Sequence, residues 1–171
     1  MQQAQSAIDA ARAAGADQYA REEFSGAQDT LKRARDAVDQ HDYRLALNYA
    51  LDSRERADAA AKEAVDRKAA ARAEAERALT GASAALSDAR SKLKAAENAR
   101  APQRILADAR RKIADGEQAV QKARAAFGHG DYPAVTRTTV AASARLHATA
   151  RDLETAAASS GRRRRELNRR F

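Results

Sequence analysis

Three histidines, two Asp-Tyr pairs and one run of arginines are the side chains in this sequence that could do chemistry. A metal site needs several convergent ligands with carboxylates behind them. His41, His129 and His147 are scattered along the chain, and His41 and His129 fall in equivalent turns, so they are expected to be solvated turn residues. Asp42-Tyr43 and Asp131-Tyr132 recur, but a structural role accounts for them as repeat markers. The aspartate accepts free N–H groups of the helix that follows, and the tyrosine is expected to pack its ring across the hairpin. Carboxylates alternate with bases, as in Asp29/Lys32/Arg33 and Glu63/Asp66/Arg67, the pattern of an exposed helix face. There is no cysteine, which removes disulfides, thiolate metal sites and cysteine nucleophiles. No Ser/His/Asp set, phosphate-cradling glycine loop or HExxH pattern occurs. The expectation is a protein that is not an enzyme, with no catalytic residue, no metal ligand and no cofactor.

The arginines are the remaining candidate. Residues 161–171 read GRRRRELNRRF and carry +5 of the net charge of +8. Arg162, Arg163, Arg164, Arg165, Arg169 and Arg170 form a candidate anion-binding set for the phosphates of nucleic acid, lipid headgroups or lipopolysaccharide. Only Phe171 is aromatic there, so base stacking is not suggested. The other 160 residues form a mixed-charge body, and basicity argues for nucleic acid at the tail alone.

The elements that must carry these residues are helices. Of 171 residues, 48 are alanine, and aromatics make up 4%. Alanine is the best helix former but buries little apolar area, so the core must be a thin, coiled-coil-like seam between closely approaching helices. No stretch nears the length of apolar residues that a membrane span needs. The opening MQQAQSAIDA has neither a basic nor an apolar segment of a signal peptide, and none is expected in the chain as given. The faces lack the bulky apolar residues of a membrane-surface helix.

An internal repeat sets the architecture. Tyr43 and Tyr132 are 89 positions apart. At that offset Phe24, Ala27, Leu31, Ala34 and Val38 map onto Ile113, Gly116, Val120, Ala123 and Phe127. Tyr43, Ala46, Ala50, Ser53, Ala57, Ala60 and Ala64 map onto Tyr132, Val135, Thr139, Ala142, Leu146, Thr149 and Leu153. Steps of three and four place each set on one helix face. An offset of 85 relates Ala4, Ile8 and Ala11 to Ala89, Leu93 and Ala96, which implies a small insertion near Ala101-Pro102-Gln103. The reading is all-α: two tandem three-helix units, hairpin-like or spectrin-like, at 1–79 and 80–160, followed by an Arg-rich tail at 161–171.

Helices are expected over about 2–14, with Gly15 as a left-handed stop, and about 17–40. Further helices are expected over about 103–127 and from Asp131 to about Ala157, where Ser159-Ser160-Gly161 weakens the last one. Residues 43–100 contain one glycine, Gly81, and no proline. The seams at Ala64 and Leu86 lie about six turns apart and face nearly the same side. A single long helix of about 85 Å shared by both units, and an elongated molecule, are therefore favoured over a break at Thr80-Gly81.

The first copy also resembles a known family. The elements AIDAARAAGADQYAREE, the spaced AxxxLxxAR around Leu31 and the DYxxAxxxAxxS stretch from Asp42 to Ser53 look like a bacterial alanine-rich helical domain of unknown function. That family occurs in envelope lipoproteins, sometimes beside outer-membrane-protein-A-like domains. The resemblance covers residues 4–64. The second copy keeps Gly130-Asp131-Tyr132 and the seam but lacks the AGAxxYA element. The resemblance implies a periplasmic or outer-membrane-associated location, reached with a signal and lipid-bearing cysteine that the chain as given does not contain, and it assigns no catalytic residue. The expected function is a cell-envelope scaffold or interaction module that binds a protein or cell-wall partner through helical faces. The alternative is a cytoplasmic nucleic-acid-associated protein that uses the arginine tail.

Overall fold

The structure, a computed structural model, describes the backbone of residues 1–168 and the side chains of residues 1–162. Among the described residues it is all-α: α1 (Gln2–Ala13), α2 (Ala16–Tyr19), α3 (Arg21–Asp39), α4 (Tyr43–Asn98), α5 (Gln103–Gly128) and α6 (Tyr132–Asn168). The chain forms two compact units, Met1–Ala71 and the part from Arg72 onward.

Unit 1 is held by small side chains. Ala4, Ala7, Ile8 and Ala11 of α1 pack with Ala16, with Phe24, Ala27 and Leu31 of α3, and with Ala57, Ala60 and Ala64 of α4. Alanine faces let backbones approach, so many weak contacts replace a few large ones. The fully buried Ser53 shows how close they come: its hydroxyl donates to the Ala27 carbonyl of the neighbouring helix at 2.8 Å. Around the rim, Arg35 donates to Gln5 at 2.8 Å and Arg54 to Gln3 at 3.1 Å. The Arg12 guanidinium lies 5.6 Å from the Phe24 ring centre.

Unit 2 uses larger residues at the matching positions. Ile113 and Val120 of α5 and Leu146 of α6 pack with Ala82, Ala85, Leu86 and Ala89 of α4. Leu106 and Ala109 meet Leu153 and Ala156 on either side of Ala96. Salt bridges cross between its helices from Lys92 to Glu154 at 3.1 Å, from Arg110 to Glu97 at 2.6 Å, and between Arg90 and Glu117.

The seam read from the repeat is the buried seam, with Val38 and Tyr43 as the exceptions in unit 1. Residues 43–98 form one helix through Gly81, which is exposed and has open space around it. A lone exposed glycine costs a helix about 1 kcal/mol, which strong helix formers on both sides absorb.

Two helix boundaries differ from expectation. The helix expected over 17–40 is broken at Ala20, where φ is −139° and ψ is 48°. Alanine favours helix locally, but Ala16, Ala20 and Phe24 are all buried and Tyr19 packs against the same cluster. The chain turns at Ala20, which buries these three and half-buries Tyr19 against them. The last helix does not end near Ala157 but continues through Ser159-Ser160-Gly161 to Asn168. Ser159 donates back to the Ala156 carbonyl at 3.0 Å, so its hydroxyl stays within the helix instead of capping a new turn.

At Gly116 the Leu146 side chain of α6 lies close against the backbone of α5. A Cβ built there falls 2.7 Å from the Leu146 Cδ2. Unit 1 solves the same contact with alanines at both matching positions, Ala27 and Ala57, within one core. Gly116→Ala gains about 1 kcal/mol of helix propensity but overpacks the core by about 1–3 kcal/mol. The net expectation is destabilisation by about 1 kcal/mol in denaturant titration. The same change made in a Leu146→Ala background should instead stabilise, because the clashing atoms are gone.

Candidate functional site

The two repeated turns are the most sharply defined local structures. In the first, Gln40, His41 and Asp42 donate their backbone N–H groups to Asp36, Val38 and Ala37. In the second, His129, Gly130 and Asp131 donate to Ala125, Phe127 and Ala126. The matched bonds are those of a left-handed helix stop, which closes the orphan carbonyls of the finished helix. The residue before each aspartate has positive φ, 60° at His41 and 77° at Gly130. Each aspartate then caps the next helix. The Asp42 Oδ1 accepts from the Leu45 N–H at 3.0 Å, and the Asp131 Oδ1 from the Ala134 N–H at 3.1 Å.

The tyrosines diverge. Tyr132 is half-buried, with its ring 5.4 Å from that of Phe127. Tyr43 does not pack across its hairpin as expected: it is 65% exposed, and its hydroxyl lies 3.2 Å from the His41 Nδ1. The matching position below it holds Val38, which offers no ring to rest on. His41, His129 and His147 are exposed, and among the described residues no group of three or more His, Cys, Asp or Glu side chains is placed to hold a metal.

Of the arginine set, Arg162 is exposed on α6. Arg163, Arg164 and Arg165 continue the helical backbone, while Arg169 and Arg170 lie outside the described residues.

An open groove of about 840 Å³ lies between α5 and α6. Its floor is Ala109, Leu153 and Ala156, and its rims carry Arg104, Arg111, Lys112, Asp108 and Asp152. Lys112 and Asp108 pair at 2.8 Å. The hydrogen bond from Lys112 holds the Asp108 carboxyl below the usual range, and the same bond raises Lys112. Each group thus favours the charged form of the other. A second groove of about 490 Å³ lies further along the two helices, with Lys112, Lys122 and Arg145 facing Asp115 over Gly116 and Ala142. An apolar floor between charged rims matches an amphipathic segment better than a single small substrate.

Sequence reasoning missed these rims because each draws on two helices. The signal was the spacing of Arg104, Asp108 and Arg111, which share a face of α5. It also passed over Leu47 and Leu51, which lie off the seam and are 59% and 53% exposed.

Residues 1–78 match the family model described as a domain of unknown function (DUF4398), so this part of the chain is similar to that family. No curated protein and no solved structure matches the chain.

The turn geometry sets an expectation for stability. A non-glycine residue at positive φ costs about 1 kcal/mol, so His41→Gly should raise stability by about that amount, with Gly130→Ala lowering it similarly. Asp42→Ala and Asp131→Ala should each cost about 1 kcal/mol through loss of the cap. Thermal and denaturant unfolding of the four variants checks both the signs and the equivalence of the two turns.

Proposed function

We propose that this chain is a non-enzymatic cell-envelope scaffold or interaction module that engages a protein or cell-wall partner through its helical faces. The observation that carries this reading is where the bulky apolar residues lie. In a chain whose core is mostly alanine, Tyr43, Leu47 and Leu51 are more than half exposed along one side of α4. Clustered exposed apolar side chains with a polar surround are the mark of an interaction surface. The charged-rim grooves on α5 and α6 add further seats for helical partners. Placement in the envelope rests on the resemblance of residues 4–64 described above. No described helix is long and apolar enough to cross a membrane.

On this reading the units at 1–79 and 80–160 are tandem three-helix bundles that share α4 as a common strut, and the molecule is extended. Small-angle scattering should then give a radius of gyration well above the roughly 16 Å of a compact globule of this length. A compact value rejects the shared strut.

Fractionation of the untrimmed natural gene product in a bacterial host tests the location. Recovery with membranes or periplasm is the expected result. Recovery from the cytosol overturns it and favours the arginine tail, whose binding to nucleic acid would weaken steeply with salt and vanish on deleting 162–170.

A further inference from the structure

The two units match position by position along their hairpins, but two pairs at the tips differ in burial: Phe127 and Tyr132 are half-buried, whereas Val38 and Tyr43 are exposed. In unit 2 the tip is covered. Ala75 and Leu79 of α4 pack with Ala123, Val135, Ala126, Phe127 and Tyr132. The Arg72 guanidinium lies 6.0 Å from the centre of the Phe127 ring. The 89-residue offset carries the five covered residues onto Ala34, Ala46, Ala37, Val38 and Tyr43.

In unit 1 the helix that lies along the hairpin is α1. Its first turn sits level with Arg35 and Arg54, to which Gln5 and Gln3 are bonded. The α3–α4 hairpin runs on beyond that level. Val38 follows Leu31 by seven residues on the inward row of α3, yet it is 36% exposed. Tyr43 and Leu47 continue the row of Arg54 on the α1 side of α4 and are 65% and 59% exposed. Beneath them Ala34, Ala46 and Ala50 are already buried. What remains open at the tip, in line with α1, is the apolar patch of Val38, Tyr43 and Leu47.

We propose that this tip is a docking seat for one amphipathic α-helix of a protein partner, laid in line with α1. The partner helix carries small or leucine side chains at the spacing of Ala75, Leu79 and Ala82, with a basic residue three positions ahead of the first. Unit 2 supplies the reason for each part. Its tip is closed by a helix with that pattern, in which Ala75 and Leu79 share a cluster with Phe127 and Tyr132, the counterparts of Val38 and Tyr43. The basic residue takes the place of Arg72 at an end of the patch that carries the exposed Asp39 and Asp42. This inference rests on the interaction-module reading and names the kind of partner that one of its faces accepts.

The probe is the segment that closes unit 2. Residues 68–85 of this chain, joined directly ahead of Met1 in the full chain, fall in phase with α1, because the first helices repeat at an offset of 85. Three chains are compared: the native chain, the extended chain, and an extended chain with Ala75→Glu and Leu79→Glu in the appended copy. The extension is expected to slow amide exchange over residues 34–50 by about tenfold or more and to raise the unfolding midpoint. The Glu-bearing extension should do neither, and Leu47→Glu should abolish the gain. Equal exchange and equal midpoints in all three chains overturn the seat. Sedimentation of the native chain is the second arm. A dimer that Leu47→Glu converts to a monomer means that a second copy covers the patch, and this overturns the partner-helix assignment. Neither result depends on cellular location, so the envelope reading stands or falls separately on fractionation.

Discussion

Close approach of helix backbones is the constraint on which this structure depends. A chain that is more than a quarter alanine has little apolar area to bury per residue, so stability must come from the number and density of contacts. Every core position is therefore governed by distance. Ser53 can bond the Ala27 carbonyl across the helix interface only because the backbones nearly touch. Leu146 fits in unit 2 only because the residue opposite is Gly116. The surface adds less. Its salt bridges are solvent-exposed, and most join residues one turn apart on the same helix, a class worth about 0–1 kcal/mol each.

The same constraint makes the repeat tolerant of substitution. Small-against-small in unit 1 and large-against-glycine in unit 2 fill comparable space by different means. The turns show this in backbone terms. Both require a left-handed residue followed by a capping aspartate, and one copy meets the requirement with glycine while the other uses histidine. Conserved geometry with changing residues is what a scaffold of stacked helices needs, because the faces can vary while the spacing holds.

The two copies stop being equivalent at their hairpin tips. Phe127 and Tyr132 are sheltered by the segment around Ala75 and Leu79, whereas Val38, Tyr43 and Leu47 meet solvent. The grooves on α5 and α6 make a related point in charge. Arg104, Arg111 and Lys112 stand beside Asp108 and Asp152 over an apolar floor, and the pairing of Lys112 with Asp108 keeps both charges in place.

Periodicity alone determined the helical class, the seam from Phe24 through Ala64 and its echo from Ile113 through Leu153, and it favoured, without deciding, the continuity of α4 across Gly81 that the structure shows. Steps of three and four and the absence of proline act within a single helix, so they are written locally. The turn chemistry of Asp42 and Asp131 was legible for the same reason, since a cap reaches only three residues ahead. Tertiary structure decided the rest. Ala20 leaves the helix although alanine favours it, because packing Ala16, Tyr19, Ala20 and Phe24 together outweighs the local preference. Tyr43 and Tyr132 share a motif and differ in burial, because one has Phe127 beneath it and the other has Val38. The rims of the grooves and the open tip of the first hairpin are assembled from residues far apart in the chain. Which side chains face one another across two helices depends on packing distance and rotation, and no local pattern encodes those.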